Sequence, residues 1–163
     1  NNLYVSGGTE EEWMNRLADA MVPYLTASGI QYVRNTPDMP AASSIRASNA
    51  GNFDLHLALH SNAAPNYPDF SGIYTYYHPS SGRGARLAQA IQTPLTRLTG
   101  GIDRGIKSAD FVVLRETEMC AVLVEMGFMT NHDELMNLID DSYQDKLAQG
   151  IAEGIVTYLN GLR

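Results

Sequence analysis

Cysteine is almost absent from this 163-residue sequence, which contains only Cys120. A single thiol cannot form an intrachain disulfide, and it rules out a zinc site built from cysteines. Cys120 stands inside an apolar run, where a lone cysteine usually packs as a small buried hydrophobe. Any metal chemistry in this chain therefore has to use histidine nitrogens and carboxylate oxygens.

Long apolar runs are missing as well. No stretch approaches the roughly 20 apolar residues that a membrane span needs, so we expect no membrane span. No basic segment followed by an apolar run opens the chain, and no signal peptide is visible in it. These two features do not decide the compartment.

Basic residues are few: 11 Lys and Arg stand against 18 Asp and Glu, for a net charge of −7. Such a protein gains nothing from neutralising phosphates, which argues against nucleic acid as a general partner. The same charge argues against simple electrostatic adhesion to an anionic membrane or wall.

Helical and strand patterns alternate along the chain without a repeat or a linker, and the length suits one domain. We expect helices near residues 10–28, 44–51, 84–98, 133–139 and 143–159, and strands near residues 30–34, 53–60, 73–77, 111–114 and 121–125. A polar, proline-containing loop is expected over residues 61–71. Alternating strands and helices predict a single α/β domain, with a mainly parallel twisted sheet and helices on both faces.

Two ionisable residues end predicted strands, the position where open α/β sheets bind their ligands. His60 ends the run FDLHLALH, and Glu125 ends the run AVLVE. An ionisable group after apolar strand residues is costly to desolvate without a partner. A metal ligand or a catalytic carboxylate would explain both positions, and a strand end that merely reaches water would explain them equally well.

Three consecutive acids, Glu10, Glu11 and Glu12, follow Thr9 at the start of the first helix. Acids in a first helical turn are ordinary capping chemistry, since they complement the helix dipole. The alternative is that one of them is a ligand, because catalytic zinc takes histidine and carboxylate ligands with one open position.

Four segments in this order resemble the zinc-dependent N-acetylmuramoyl-L-alanine amidases of the type 3 family. The resemblance covers nearly the whole chain, and its most specific parts are a His-x-Asn-Ala segment and a strand-Glu-x-Gly-Phe-x-x-Asn segment. It implies hydrolysis of the amide bond between N-acetylmuramic acid and L-alanine of peptidoglycan, with one zinc ion. The segments are GGTEEEWMNRLADAMVPYL (7–25), DLHLALHSNAAP (54–65), SGIYTYYHP (71–79) and RGIKSADFVVLRETEMCAVLVEMGFMTNHDE (104–134).

Matched motif to motif, the resemblance implies that His60 binds zinc and that Glu125 acts on the attacking water. It implies Glu11 as the helix ligand, because the family's glutamate precedes a helix asparagine by four positions, where Asn15 stands. Glu10 remains the alternative if the register differs by one. Asn62 and Arg115, the latter ending the run VVLR, are implied on the substrate side.

One departure concerns the third zinc ligand. The family's first strand, with its terminal His-Gly-Gly, has no counterpart before Gly7-Gly8, so the domain over residues 1–163 is an amidase domain without that strand. The ligand then lies in a missing upstream segment or is replaced by His56. His56 and His60 share parity on one strand, but four extended residues span about 13 Å. A buried, hydrogen-bonded structural histidine is the alternative for His56.

Two other functions stay open at this point: a catalytically silent wall-binding or regulatory domain of the same fold, and a zinc peptidase acting within the stem peptide. The resemblance implies peptidoglycan as the partner and an extracytoplasmic location, in the wall or secreted. We expect a monomer, since no sequence feature indicates an extended self-association face.

Overall fold

The computed structural model describes residues 9–36 and 39–162, which form six helices and four strands. Gly7 and Gly8, which open the first of the four matched segments, lie outside the described residues. The helices are α1 (Glu10–Ala27), α2 (Ala41–Ala50), α3 (Gly82–Thr99), α4 (Val112–Arg115), α5 (His132–Leu138) and α6 (Asp141–Asn160). The strands are β1 (Leu55–Asn62), β2 (Ile73–Tyr77), β3 (Asp103–Ser108) and β4 (Cys120–Phe128).

The four strands form one sheet in the order β1-β4-β2-β3. β1 pairs with β4 and β2 with β3 in parallel, whereas β2 and β4 are antiparallel. The predicted α/β domain with a mainly parallel sheet is therefore confirmed. The reversal of β2 follows from its connection. Residues 63–72 contain no helix, so the loop brings the chain back into the sheet at the same end of the strands at which β1 finishes.

Helices cover both faces of the sheet. Alternate residues of the central strand β4 point to opposite faces and pack against different helices. Val122, Val124 and Met126 belong to the main core, which is built with α1, α3 and α6. Ala121 and Leu123 point the other way and pack against Leu114 of α4. The second face thus has a much thinner cover, and it is the face on which Glu125 follows Leu123 by parity.

Two predicted strands were wrong. Residues 111–114 fall mostly in the short helix α4, whose Arg115 amide donates to the carbonyl of Phe111 (2.9 Å). Residues 30–34 form no strand: Val33 is 76% exposed, and Arg34 returns to α1 through Asp19. The strand β3 was missed because its sequence, DRGIKS, is mostly polar.

Within residues 9–36 and 39–162, no helix is long and apolar enough to cross a membrane.

Candidate active site

Three neighbouring strands place one side chain each in a row across the thinly covered face. His60 on β1 lies opposite Glu125 on β4, and Glu125 lies opposite Tyr74 on β2. In an antiparallel pair such as β2 and β4, directly opposed residues have Cβ atoms about 4.5–5.5 Å apart, so Tyr74 and Glu125 are close neighbours. Because β1 and β4 are parallel, this row lies at the carboxyl ends of both, as the sequence predicts for His60 and Glu125.

The start of α1 supplies a fourth group. Thr9 caps the helix in a reciprocal pair with Glu12: the Thr9 hydroxyl accepts from the Glu12 amide, and the Glu12 carboxylate accepts from the Thr9 amide. This cap fixes the direction of the first turn. Glu10, the first helical residue, reaches the end of β1, where its Oε1 accepts from His60 Nδ1 (2.9 Å) and from the amide of Ser61 (3.0 Å).

The structure brings Glu10 to His60, whereas the side chain of Glu11 is exposed on the helix. The sequence favoured Glu11 and kept Glu10 as the alternative. The asparagine four positions on, Asn15, accepts through its backbone carbonyl from Arg34 (3.2 Å).

Glu10 and His60 shift each other toward an ion pair. Burial raises the pKa of Glu10, but the hydrogen bonds from His60 and Ser61 and the His60 charge outweigh it, so this pKa is lowered. The hydrogen bond to Glu10 raises the pKa of His60 against the opposing effect of burial, and the charges of Glu10 and Glu125 add to it.

Glu125 is the partly buried acid of the site. The pKa of Glu125 is raised to about 7: burial is the largest cause, the charge of His60 acts to lower this pKa, and the charge of Glu10 acts to raise it. Its Oε2 is buried and has no hydrogen-bond partner among the described residues. A buried unpaired carboxylate oxygen is costly and needs a functional reason. A group with a pKa near neutrality is suited to proton transfer.

Asn62, predicted on the substrate side, lies two residues beyond His60 on β1. Its amide nitrogen donates to the hydroxyl of Tyr74, and its carbonyl oxygen accepts from the amide of Ala63 (2.9 Å). Burial and the neighbouring Tyr76 raise the pKa of Tyr74, so its hydroxyl stays protonated. Tyr74 was missed in the sequence, although its strand position could have indicated it.

Arg115, the other predicted substrate-side residue, lies away from this row. It ends α4, and its guanidinium contacts the carboxylates of Asp110 (3.0 Å) and Glu116 (2.9 Å). The preceding Leu114 packs on Ala121 and Leu123. Arg115 therefore lies on the same face as Glu125 but nearer the start of β4.

His56, the predicted replacement ligand, does not join Glu10 and His60. A hydrogen bond of 2.7 Å joins its Nδ1 to Ser48 Oγ of α2. β1 keeps a regular register from Leu55 to His60, so the expected spacing of about 13 Å is not shortened by a bend. Across the described ranges, no three His, Cys, Asp or Glu side chains are close enough to hold a metal ion together.

The donor types at the row nevertheless fit zinc. The nitrogen of His60 and a carboxylate oxygen of Glu10 are hydrogen-bonded to each other, and the unpaired Oε2 of Glu125 lies beside them. These are the donors of catalytic zinc sites. An α/β sheet that gathers these groups beyond its parallel strand ends has the group types that acid–base hydrolysis uses.

The family follows from comparison with known proteins: residues 2–157 match the N-acetylmuramoyl-L-alanine amidase family, and the chain belongs to it. A crystal structure of N-acetylmuramoyl-L-alanine amidase from Clostridium difficile 630 superposes with a TM-score of 0.92. It is 31% identical, and the match covers 98% of this chain and 89% of that one. The predicted family is thus confirmed, and the chain is an enzyme domain of amidase type.

Two curated relatives extend this comparison. N-acetylmuramoyl-L-alanine amidase LytC from Bacillus subtilis (strain 168) is 35% identical over 147 residues, which is 86% of this chain and 27% of LytC. The endolysin of Bacillus phage SPP1 is 36% identical over 118 residues, 71% of this chain and 44% of the endolysin. The chain thus spans less than half the length of these two relatives.

Proposed function

We propose that this chain hydrolyses the amide bond between N-acetylmuramic acid and the L-alanine of the peptidoglycan stem peptide, in a zinc-dependent reaction. The observation that supports it most directly is the buried, unpartnered Oε2 of Glu125 beside the Glu10–His60 pair. The family relationship supplies the substrate class.

Glu10 and His60 would hold the single zinc ion, and Glu11 and His56 would not. When bound, zinc supplies Lewis-acid polarisation of the amide carbonyl and lowers the pKa of the attacking water. The other ligands are not assigned to any described residue. The resemblance implies a further histidine ligand ahead of α1, and residues 1–8 contain no histidine.

Glu125 would do the proton transfer. As a carboxylate it takes a proton from the water whose oxygen attacks the amide carbon. It then delivers that proton to the alanine nitrogen as the C–N bond breaks. The products are a muramic acid carboxylate and a free L-alanine amino terminus. Asn62, held by Tyr74, would position the substrate beside this bond, and Arg115 would contact a more distant part of it.

We propose further that the protein acts outside the cytoplasmic membrane, on the cell wall, and that the whole of residues 1–163 serves as the amidase domain. We also propose that it works as a monomer.

The deciding test is a digest of purified peptidoglycan with added zinc, followed by mass spectrometry of the products. We expect new L-alanine amino termini that disappear with a chelator.

Glu125→Gln should lower the rate by about 10²–10⁴-fold while the zinc content stays at the wild-type level. Retention of more than a tenth of the activity would show that Glu125 is not the general base.

A catalytically silent domain is the second candidate, and one observation favours it: among the described residues, no three His, Cys, Asp or Glu side chains are close enough to hold a metal ion. No release from wall material that a known amidase cuts would support it. Cleavage between stem-peptide residues would instead make the chain a peptidase.

A further inference from the structure

Two aromatic rings on the loop between β1 and β2 face solvent. Tyr67 is 59% exposed and Phe70 is 50% exposed. Their rings stack with centroids 4.8 Å apart and planes inclined by 12°. Large exposed aromatic groups that lie together are unusual on a protein surface and mark binding sites.

The loop holds this pair through two consecutive turns of similar sequence, Ala-Pro-Asn-Tyr and Tyr-Pro-Asp-Phe. The amide of Tyr67 donates to the carbonyl of Ala64 (2.9 Å), and the amide of Phe70 donates to the carbonyl of Tyr67 (3.0 Å). Each turn has proline at its second position, Pro65 and Pro68, where the fixed φ of proline suits a turn. The two rings therefore recur three residues apart and are preorganised, which lowers the entropy lost on binding.

Both ends of the loop are tied to the chain that leaves β4. The amide of Ala64 donates to Thr130 Oγ1 (3.0 Å), and the amide of Gly72 donates to the carboxylate of Glu134 (3.0 Å). Glu134 also accepts from the amide of Phe128 (3.0 Å). These bonds hold the loop across the end of β4, directly beyond Glu125.

A bulge connects the exposed rings to the row of site residues. Between the pairs His60–Glu125 and Asn62–Phe128, β4 contains one residue more than β1, and Gly127 in this stretch has φ of +124°. An extra residue turns the following side chain to the other face, so Phe128 lies on the side of Glu125. Its ring centroid is 6.1 Å from that of Phe70 and 6.4 Å from that of Tyr74.

We propose that Tyr67 and Phe70 form a stacking subsite for an N-acetylhexosamine ring of the glycan strand, next to the muramoyl residue whose amide is cut. The subsite rests on the proposed function, because the ring contacts continue from Phe70 through Phe128 to Tyr74, which lies opposite Glu125. A polymeric substrate cut at this row has to pass the end of β4, and the loop occupies that end.

The chemistry of the pair favours a sugar over the stem peptide. A pyranose offers one face of C–H groups to an aromatic ring and its hydroxyls to neighbouring polar groups. Asn66 and Asp69, both exposed on the same turns, are such groups. Asp69 and the net charge of −7 repel an anionic peptide but not a neutral sugar.

The first experiment measures binding without catalysis. The chain, treated with chelator, is titrated with the N-acetylglucosamine tetrasaccharide, and the dissociation constant is obtained by NMR. Tyr67→Ala combined with Phe70→Ala should weaken binding about tenfold or more, since buried aromatic contacts dominate interfaces. Tyr32→Ala, at a tyrosine 42% exposed after α1, is the matched control and should bind as the wild type does.

The second experiment separates the subsite from the catalytic row. The double variant should raise KM about tenfold on a disaccharide–peptide and leave kcat/KM unchanged on a muramoyl–peptide that lacks the second sugar. Thermal unfolding checks that the variants are folded, which is expected because both rings are largely exposed.

The outcomes are distinct. Equal binding of the tetrasaccharide by wild type and double variant, or no binding by the wild type, overturns the subsite even if the chain is an amidase. Loss of affinity for a free stem tripeptide, with tetrasaccharide affinity unchanged, also overturns it. If the wild type cuts neither substrate, the proposed function fails, and the binding experiment still decides the subsite.

Discussion

Glu10 and Glu11 are consecutive residues of the first turn of α1, and a helix rotates by about 100° per residue. Only one of the two side chains can therefore face the end of β1. The hydrogen bonds of Glu10 with His60 and Ser61 show which one does. A pattern of three acids after a capping residue locates the turn but does not give its rotation, so the sequence left this choice open.

The neighbouring acids Glu10 and Glu11 can be tested separately for a role in zinc binding. Glu10→Gln is expected to weaken zinc binding by more than about 100-fold, beyond the 10–100-fold typical of outer-shell partners, because it removes a proposed ligand. Glu11→Gln is the matched control and should bind zinc as the wild type does. Isothermal titration of the chelator-treated proteins measures both. Loss of zinc binding in Glu11→Gln but not in Glu10→Gln would make Glu11 the helix ligand, as the family resemblance implies.

His56 gives a second prediction, on stability. Burial lowers its pKa, so the folded protein keeps it neutral at a pH where the unfolded chain already binds a proton. As the pH falls below about 6.5, the ordinary histidine value, the unfolded state gains protons and the free energy of unfolding decreases. His56→Gln should reduce this decrease.

Urea unfolding of the chelator-treated protein between about pH 5 and 7.5, the range in which histidine changes charge, measures the effect. An identical pH dependence for wild type and His56→Gln would contradict a neutral, partly buried imidazole.

At the scale of elements, strong periodicity was enough for most of the fold. The apolar residues of α1 recur every four positions, and Met21 and Leu25 among them are buried. β4 is an apolar, β-branched run, and it is the buried centre of the sheet. Both features report one-sided or complete burial, which is what a hydrophobic pattern measures.

The elements that failed are those whose pattern is set by tertiary contacts. Val112 and Val113 have high strand propensity, yet they form one helical turn that lays Leu114 on the sheet. β3 is an edge strand among the described residues, so charged residues suit it and no apolar pattern marks it. The direction of β2 was available in principle, because no helix is predicted between it and β1.

The contact between α3 and α6 gives a prediction at this scale. A Cβ added at Gly154 would lie 2.5 Å from the carbonyl oxygen of Ala90 and from the Cα of Ile91. Gly154→Ala should therefore lower the free energy of unfolding by about 1–3 kcal/mol, the usual cost of overpacking.

Gly82→Ala is the helix-glycine control, since an added Cβ there meets nothing within 4 Å. It should be neutral or raise stability by up to about 1 kcal/mol. Urea unfolding of both variants tests the pair, and equal stability of the two would show that the helices can separate at no cost.

At the scale of the whole molecule, the net charge of −7 governs the approach to the substrate. If the substrate is an anionic wall, the two repel each other at low salt. Raising the ionic strength from about 0.01 to 0.15 M shortens the screening length from about 30 to 8 Å. The hydrolysis rate on intact walls should then rise severalfold, while the rate on a small soluble muramoyl–peptide should change little. A rate on walls that falls with salt would point to a basic contact that the composition does not indicate.

The antiparallel placement of β2 has a consequence for how this domain can be altered. The loop over residues 63–72 leaves β1 and enters β2 at the same end of the strands. Hydrogen bonds from the amides of Ala64 and Gly72 hold it there. Since surface loops generally tolerate insertions and deletions, we expect changes in the length of its interior to leave the strand register unchanged. Because the proposed stacking subsite lies on this loop and the proposed proton-transfer residue lies on β4, grafting the loop between family members tests whether wall preference can be changed without changing the catalytic strands.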